Sequence, residues 1–542
     1  MCIECTLDCV EWQNIESLLE PLESESMNLI KRSELPFVRA VSQLNYANPF
    51  LQQRLDLERA ALGQDFVTEL HPFWSFAANE TKSRRANVLR IAQRVAPIAK
   101  TIRAKLLAGE PANDEELEWY DDLALYILFY ELFDDWGQLS PPSFKDITVC
   151  QEEVWKRFAK AFEYWLGLPG LQLPSSAQVL HLFALFNQIY RAFYNIFECV
   201  IGQSLPAANL RAQIWQSIFT HDLRRYRRSL YRTIHHVTTL VIGPSGSGKE
   251  LVAQAIGMSR YIPFDPKSKR FATQPAESYF AINISAFSTS VIESELFGHA
   301  KGAFTDASST RAGWLDACGE HGSLLLDEIG ELEPTTQVKL LRVLQNRQYQ
   351  RLGETKIREF QGKIIAATNR NLGFEIEQRT FREDLYYRLC ADVIETPSLF
   401  SQLQDNPAVL ANIVAYIAKR IAPDEQTTLT SEVVEWLQRH MPSNYQWPGN
   451  IRELEQCVRN IMIRAHYAPS PSAAIASGEA KNSRVDSESL ELAKDIHSIS
   501  LTADELLQRY CRIAYRQTKS FEKAAKLLQL DRRTVRAKVD TV

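Results

Sequence analysis

Residues 243–250 read Gly-Pro-Ser-Gly-Ser-Gly-Lys-Glu, set between an apolar run, Thr239-Leu-Val-Ile242, and a segment with helical spacing, Leu251-Val-Ala-Gln-Ala-Ile256. Strand, glycine-rich turn and helix in that order are the context a phosphate-binding loop requires. Glycines let backbone N–H groups close around phosphate oxygens, and the helix N-terminus adds the positive end of its dipole. On this reading Gly243, Pro244, Ser245, Gly246, Ser247 and Gly248 form the cradle, and Lys249 reaches the outer phosphates. Such loops usually end in a serine or threonine whose hydroxyl ligates magnesium. Here that position is Glu250, so the loop alone leaves open which nucleotide-driven machine carries it.

A chain of 542 residues exceeds one hydrophobic core and predicts three or four domains. Hydrophobic content of 45% with 23% charged residues is that of a soluble globular protein. The net charge of −5 carries no global nucleic-acid signal, so any such signal must be local. Nine scattered cysteines fit a reducing compartment better than a disulfide framework. Cys2, Cys5 and Cys9 have no fourth ligand at a metal-binding spacing nearby and read as incidental thiols. The N-terminus lacks a basic region followed by an apolar stretch, and the longest apolar candidate, Leu123 to Phe133, is short and carries Glu131. A cytoplasmic protein with no membrane partner is expected.

Residues 1–205 read as an α-helical sensory or regulatory domain. Asn113-Asp-Glu-Glu116 has the form of a helix start, and the aromatic stripes after it and over His181 to Val200 read as core. Residues 206–236, with Arg224, Arg225, Arg227, Arg228 and Arg232, read as a basic linker. From 237 to 400 short β-branched runs alternate with helices, the pattern of a parallel α/β core. Its strand candidates are Thr239–Ile242, Tyr279–Ile282, Ser323–Leu326 and Lys363–Ala367. Residues 401–467 return to helix as a lid would, 468–500 read as a flexible linker, and 501–542 as a compact helical unit.

Gly322-Ser-Leu-Leu-Leu-Asp-Glu328 is an apolar strand ending in two carboxylates. Ligands of α/β sheets sit at the carboxyl ends of strands, so both acids would face the phosphates. Asp327 suits magnesium, and Glu328 suits polarising the water that attacks the terminal phosphate of ATP.

Three further segments carry a resemblance: Glu295-Leu-Phe-Gly-His-Ala-Lys-Gly-Ala-Phe-Thr-Asp-Ala307, Phe381-Arg-Glu-Asp-Leu-Tyr-Tyr-Arg-Leu389 and Trp447-Pro-Gly-Asn-Ile-Arg-Glu-Leu454. From about 237 to 467 the chain resembles the AAA+ domain of the bacterial enhancer-binding proteins that activate sigma-54 RNA polymerase. In that family the phosphate loop usually ends in Lys-Glu, so Glu250 becomes a family mark. The resemblance implies an ATP- and Mg2+-dependent ATPase working as a ring, most often a hexamer. It makes Asn369 the sensor that holds the attacking water and Asn283 the switch that restrains Glu328. It makes Arg382 and Arg388 the fingers that reach a neighbouring subunit's ATP, a task suited to an always-charged, bidentate guanidinium. Arg452 matches the lid sensor that contacts nucleotide within its own subunit.

Gly302, Ala303, Phe304, Thr305, Asp306 and Ala307 match the loop that touches sigma-54, with Phe304 and Thr305 as its contacting residues. The family's loop is usually Gly-Ala-Phe-Thr-Gly-Ala, so Asp306 adds a charge and removes backbone freedom. The alternative this raises is an AAA+ DNA-binding regulator, or a protein-remodelling ATPase, that does not productively contact sigma-54. A second departure lies at Thr396-Pro-Ser-Leu-Phe400, where the family usually carries Pro-Pro-Leu-Arg-Glu-Arg.

Ser520-Phe-Glu-Lys-Ala-Ala-Lys-Leu-Leu-Gln-Leu530 and Asp531-Arg-Arg-Thr-Val-Arg-Ala-Lys538 form two helices, the second with Asp531 as N-cap. The pair looks like the Fis-type helix-turn-helix common at the end of this family. Arg532, Arg533, Thr534, Arg536 and Lys538 would meet phosphates and base edges of upstream promoter DNA.

Overall fold

The computed structural model describes residues 29–68, 86–139, 147–304, 307–442, 444–469, 495, 502–518 and 520–540. Two compact units emerge, one of residues 1–441 with 449–465, the other of 442–448 with 466–542. Cys2, Cys5 and Cys9, and nearly all of the 468–500 linker, lie outside the described residues. Among the described residues no helix is long and apolar enough to cross a membrane.

Among its described residues the first unit opens with nine helices: α1 (Leu35–Leu44), α2 (Gln52–Leu62), α3 (Ala86–Leu107), α4 (Asp114–Glu131), α5 (Phe133–Gln138), α6 (Ile147–Leu166), α7 (Val179–Cys199), α8 (Leu205–Phe219) and α9 (Leu223–Arg228). The start expected at Asn113 is a full capping box, in which the Asn113 side chain accepts from Glu116 N and the Glu116 carboxylate accepts from Asn113 N. From Trp119 to Phe129 every residue of α4 is buried, so it is a core helix on all sides.

The segment 206–236 is not an open basic connector. Ser204 caps α8, which buries Leu210, Ile214, Trp215 and Phe219, and Asp222 caps α9. Arg224 pairs with Asp122 at 2.7 Å and Arg227 with Asp121 at 3.6 Å. Those counter-charges are buried in α4, about a hundred residues upstream, where no local reading of the basic run would find them.

Five parallel strands follow: β1 (Thr239–Ile242), β2 (Tyr279–Asn283), β3 (Ser323–Asp327), β4 (Lys363–Thr368) and β5 (Asp392–Glu395), in spatial order β2-β3-β4-β1-β5. The fifth was not expected: Asp-Val-Ile-Glu is short, flanked by acids and at the sheet edge, with Val393 45% exposed. Helix α10 (Lys249–Gly257) follows β1, and α11 (Thr289–Phe297) and α12 (Trp314–Ala317) link β2 to β3. Helix α13 (Pro334–Asn346) links β3 to β4, and α14 (Leu372–Glu377) and α15 (Glu383–Leu389) link β4 to β5. The lid comprises α16 (Leu399–Asp405), α17 (Val409–Ile421), α18 (Gln426–His440) and α19 (Asn450–Arg464).

Alternate strand residues feed two apolar clusters, as a two-residue period requires. Leu240, Leu324, Leu326 and Ile364 enter one with α11 and α13 residues. Val241, Leu325, Ile365 and Ile394 enter the other, which is continuous with the core of the helical region through Val252, Ile256, Leu182, Phe183 and Trp215. The helical region and the α/β core thus share one hydrophobic interior.

The second unit holds α20 (Ala503–Thr518), α21 (Phe521–Leu528) and α22 (Arg532–Asp540). Cys511, Ala514, Ala524, Ala525 and Val535 make its core, so the adjacent alanines are the packing step that lets α21 approach its neighbours. Gln529 turns the chain with left-handed geometry (φ +52°), and Asp531 Oδ1 accepts from Arg533 N at 2.8 Å to open α22.

Candidate functional site

The register of the sheet brings the expected residues to one rim. Asn283 pairs with Asp327, and Ile242 pairs with Thr368. The phosphate loop, the carboxylate pair and Asn369 therefore leave neighbouring strands on the same edge, the carboxyl-end crevice of an open α/β sheet.

The loop admits only glycine where it is most crowded. A Cβ on Gly243 would lie 2.1 Å from Thr396 Oγ1, and one on Gly246 would lie 2.3 Å from the Gly449 carbonyl oxygen, both at positive φ. Lys249 opens α10 and is 7% exposed, with its ammonium donating to the Gly243 and Pro244 carbonyls at 3.1 Å each. Burial pushes its pKa below the usual lysine range, while the nearby Glu328 and Asp327 carboxylates oppose the shift. Glu250 is exposed in the first turn of α10, where an acidic side chain meets the positive end of the helix.

Asp327 ends β3 and its Oδ1 accepts from Glu328 N at 3.0 Å. Glu328 itself is held at φ +55°, ψ +48°, a left-handed conformation that costs a non-glycine residue on the order of 1–3 kcal/mol. Strain of this kind persists where the surrounding structure over-determines a turn, and here it turns the backbone as it leaves β3. Asn283 Oδ1 accepts from Ser285 N at 3.0 Å and Ser285 Oγ at 2.6 Å, so its amide oxygen is taken up by its own turn. Asn369 is exposed immediately after β4. Its neighbour Arg370 pairs with Glu331 and Glu375, tying the end of β4 to the turn that follows Glu328.

The lid closes over the loop through three residues in succession. Asn450 Nδ2 donates to the Ser245 carbonyl at 2.9 Å, Ile451 N donates to the Gly246 carbonyl at 3.1 Å, and Arg452 Nη1 lies 3.5 Å from Ser245 Oγ. Arg452 is thus beside the phosphate loop within its own chain. Asn450 and Thr396 were missed at the sequence level. Thr396 follows β5, donates to the Ile242 carbonyl and touches Ser247 Oγ at 2.6 Å, supporting the loop from beneath. The asparagine in Trp-Pro-Gly-Asn was the available signal, since Asn tolerates the φ of +51° found there.

Arg382 and Arg388 sit on the surface at the start and end of α15. Arg382 grips Asp384 with two hydrogen bonds, of 3.0 and 2.7 Å. Gly302, Ala303, Phe304 and Ala307 form the stem of a loop closed by Gly302 N donating to the Ala307 carbonyl at 2.8 Å. Thr305 and Asp306 lie outside the described residues. The Phe304 ring, 44% exposed, rests edge-on against His299 with centroids 4.9 Å apart. In the second unit Arg532, Arg533, Thr534 and Arg536 are exposed along α22, whereas Lys538 is half-buried and paired with Asp504.

Residues 218–395 match the family described as the Sigma-54 interaction domain, and residues 403–471 match the AAA+ ATPase lid domain. Among curated proteins the chain is similar to the Nif-specific regulatory protein of Azotobacter vinelandii, 36% identical over 56% of this chain and 54% of the relative. It is similar to the transcriptional regulatory protein ZraR of Escherichia coli (strain K12), 40% identical over 42% of this chain and 47% of that protein. A third relative is the nitrogen fixation protein AnfA of Azotobacter vinelandii, 39% identical over 44% of this chain and 41% of that one. The chain therefore spans about half the length of the curated relatives it matches.

Proposed function

The chain belongs to the sigma-54-dependent AAA+ activators, and we propose that it hydrolyses ATP to remodel the closed promoter complex of sigma-54 RNA polymerase. One observation carries this reading: Lys249, Asp327, Glu328 and Asn369 leave adjacent strands on one rim, with Arg452 of the lid beside Ser245. The residues fit a nucleotide, since Gly243 and Gly246 leave the loop no room for a Cβ and Lys249 spends its donors on loop carbonyls that phosphate oxygens can replace. Asp327 would hold magnesium, which when bound neutralises phosphate charge. Glu328 orients and deprotonates the attacking water, Asn369 fixes that water, and Asn283 restrains Glu328 after releasing Ser285.

Arg382 and Arg388 are surface groups at the two ends of one helix, as residues serving a neighbouring subunit would be, and a homo-oligomeric ring, most often a hexamer in this family, supplies that neighbour. The Gly302–Ala307 loop presents Phe304 and Thr305 to sigma-54. Helix α22 enters the major groove of upstream promoter DNA through Arg532, Arg533, Thr534 and Arg536. Lys538 is bound to Asp504 and reaches phosphate only by leaving it.

A second reading is favoured by Asp306 in place of the loop's second glycine: an AAA+ DNA-binding regulator that hydrolyses ATP without productive sigma-54 contact. The full chain should be assayed for ATPase activity, for sigma-54 binding with a transition-state analogue of ATP, and for open-complex formation. Hydrolysis coupled to sigma-54 binding supports the first reading. Robust hydrolysis with no sigma-54 binding, restored by Asp306→Gly, overturns it in favour of the second.

A further inference from the structure

The phosphate loop, the carboxylate pair and Asn369 occupy the carboxyl ends of the strands. The amino ends border a second, separate cavity. Ser323 pairs with Lys363 at the first step of β3 and β4, and beside Lys363 lies a space of about 220 Å³. Lys363, Arg260, Arg232 and His235 line it, with Gln188 of α7 and Tyr226 of α9 supplied by the helical region.

The walls are rich in cations and poor in anions. Lys363 is 4% exposed and donates to the Val237 carbonyl at 3.0 Å, which uses one of its three ammonium protons. Arg260 donates to the Glu320 carbonyl at 3.0 Å and to the Gly322 carbonyl. Behind them Arg347 donates to the His235 carbonyl at 2.7 Å. Arg191 of α7 donates to the Met258 and Arg260 carbonyls, also at 2.7 Å each, and so fixes the backbone that carries Arg260. All four side chains hydrogen-bond only to neutral oxygens, and among the described residues none forms an ion pair.

The acids nearby do not balance them. Glu320 lines the cavity but is exposed, and Asp392 accepts from Thr239 Oγ1 at 2.8 Å. Burial brings the Lys363 ammonium down to about 8, with Asp392 opposing the shift and Arg260 and Arg347 adding to it. Burial, then the charge of Arg260, pushes His235 down to about 3, so its ring is neutral there. Cations held in a low-dielectric interior without an anion are costly, and an arriving anion relieves that cost.

We propose that this cavity binds a phosphate group, whose oxygens meet Lys363, Arg260 and Arg232. Ammonium and guanidinium groups form short, charge-assisted bonds to phosphate. Arg232 is exposed at the rim and gives only its Nε to the Tyr231 hydroxyl, at 2.9 Å, which leaves its two terminal nitrogens for a ligand. A cavity of about 150 Å³ holds one benzene ring, so the space here takes a phosphate together with a small carrier. The site shares no residue with the nucleotide loop and stands apart from the ATPase reading.

The test is calorimetric titration of the full chain with inorganic phosphate and with ribose 5-phosphate. Lys249→Met disables the phosphate loop, so one site per chain should remain in that variant. Adding Lys363→Met should weaken the remaining site about tenfold or more, the worth of one charge-assisted hydrogen bond. This change takes a buried charge out of the interior, so the fold should hold. Arg232→Gln, at an exposed position, should weaken the site a few-fold and keeps the test open should Lys363→Met fail to fold. Tighter binding of ribose 5-phosphate than of inorganic phosphate assigns the group to an organic carrier, and the reverse order assigns it to the free ion. No phosphate binding of either kind in Lys249→Met overturns the proposal. Affinity unchanged by both Lys363→Met and Arg232→Gln overturns it as well.

Discussion

Asn450 donates its side-chain amide to the Ser245 carbonyl at 2.9 Å, and the same side chain accepts from Leu399 N at 2.8 Å. One residue of the lid thereby fastens the phosphate loop and the start of α16 together. It does so from a left-handed backbone, 2% exposed. Asn450→Ala removes both bonds and puts a strained φ on alanine, which should cost about 2–4 kcal/mol of stability. Asn450→Gly loses the same bonds without the strain and should cost less. Urea denaturation of the two variants tests this; equal losses would mean the positive φ carries no penalty.

Glu328→Gln keeps the shape of the side chain at its left-handed turn and removes only the capacity to take a proton. Hydrolysis should fall by about 10²–10⁴-fold with nucleotide binding retained. Lys249→Met should instead lose the binding itself, because a buried thioether has no donor for phosphate. Single-turnover hydrolysis and titration with a fluorescent nucleotide separate the two; wild-type turnover in Glu328→Gln would remove Glu328 from the role of base.

His181 should make the fold acid-sensitive. Its ring bonds the Tyr261 hydroxyl at 3.0 Å and the Arg227 carbonyl at 2.8 Å, and burial pulls its pKa from 6.5 to about 4. The folded value lies below the unfolded one, so the unfolded chain takes up the proton first as pH falls. The stabilisation is full above pH 6.5 and is lost progressively down to about pH 4, with a slope of at most about 1.4 kcal/mol per pH unit for this one group. His235, shifted in the same direction by burial, adds to the wild-type slope. Denaturation midpoints from pH 7 to pH 5 should therefore fall less steeply in His181→Gln than in the native chain; identical slopes would exclude His181.

Arg532 and Arg533 are exposed on α22 and available to phosphates or base edges. Alanine at both keeps a good helix former in place, so the unit should stay folded. Each phosphate deprived of its arginine should lower the slope of log affinity against log salt by about one. DNA binding of the double variant at several salt concentrations measures this, and an unchanged affinity would detach α22 from nucleic acid.

What could be read from the chain was local. The phosphate loop, the Asp327–Glu328 step and four of the five central strands are contiguous signals, and each lies where its own residues place it. What could not be read depended on distant partners. Arg224 and Arg227 looked like a solvated face because Asp122 and Asp121 reach them only in three dimensions. Thr396 and Asn450 gain their importance from Gly243 and Ser245, on the far side of the core in sequence. Arg191 is an ordinary basic residue of an aromatic helix until α10 ends against it.

Val241, Val252, Ile256 and Ile394 of the ATPase sit in the same apolar cluster as Leu182, Phe183 and Trp215 of the helical region. A helical domain joined by a tether can be traded between proteins like a cartridge. This one cannot, because its removal would leave one wall of the ATPase bare to water, and a replacement would have to match that wall residue for residue. The two must therefore be inherited together, unfold together and change sequence in concert across the seam.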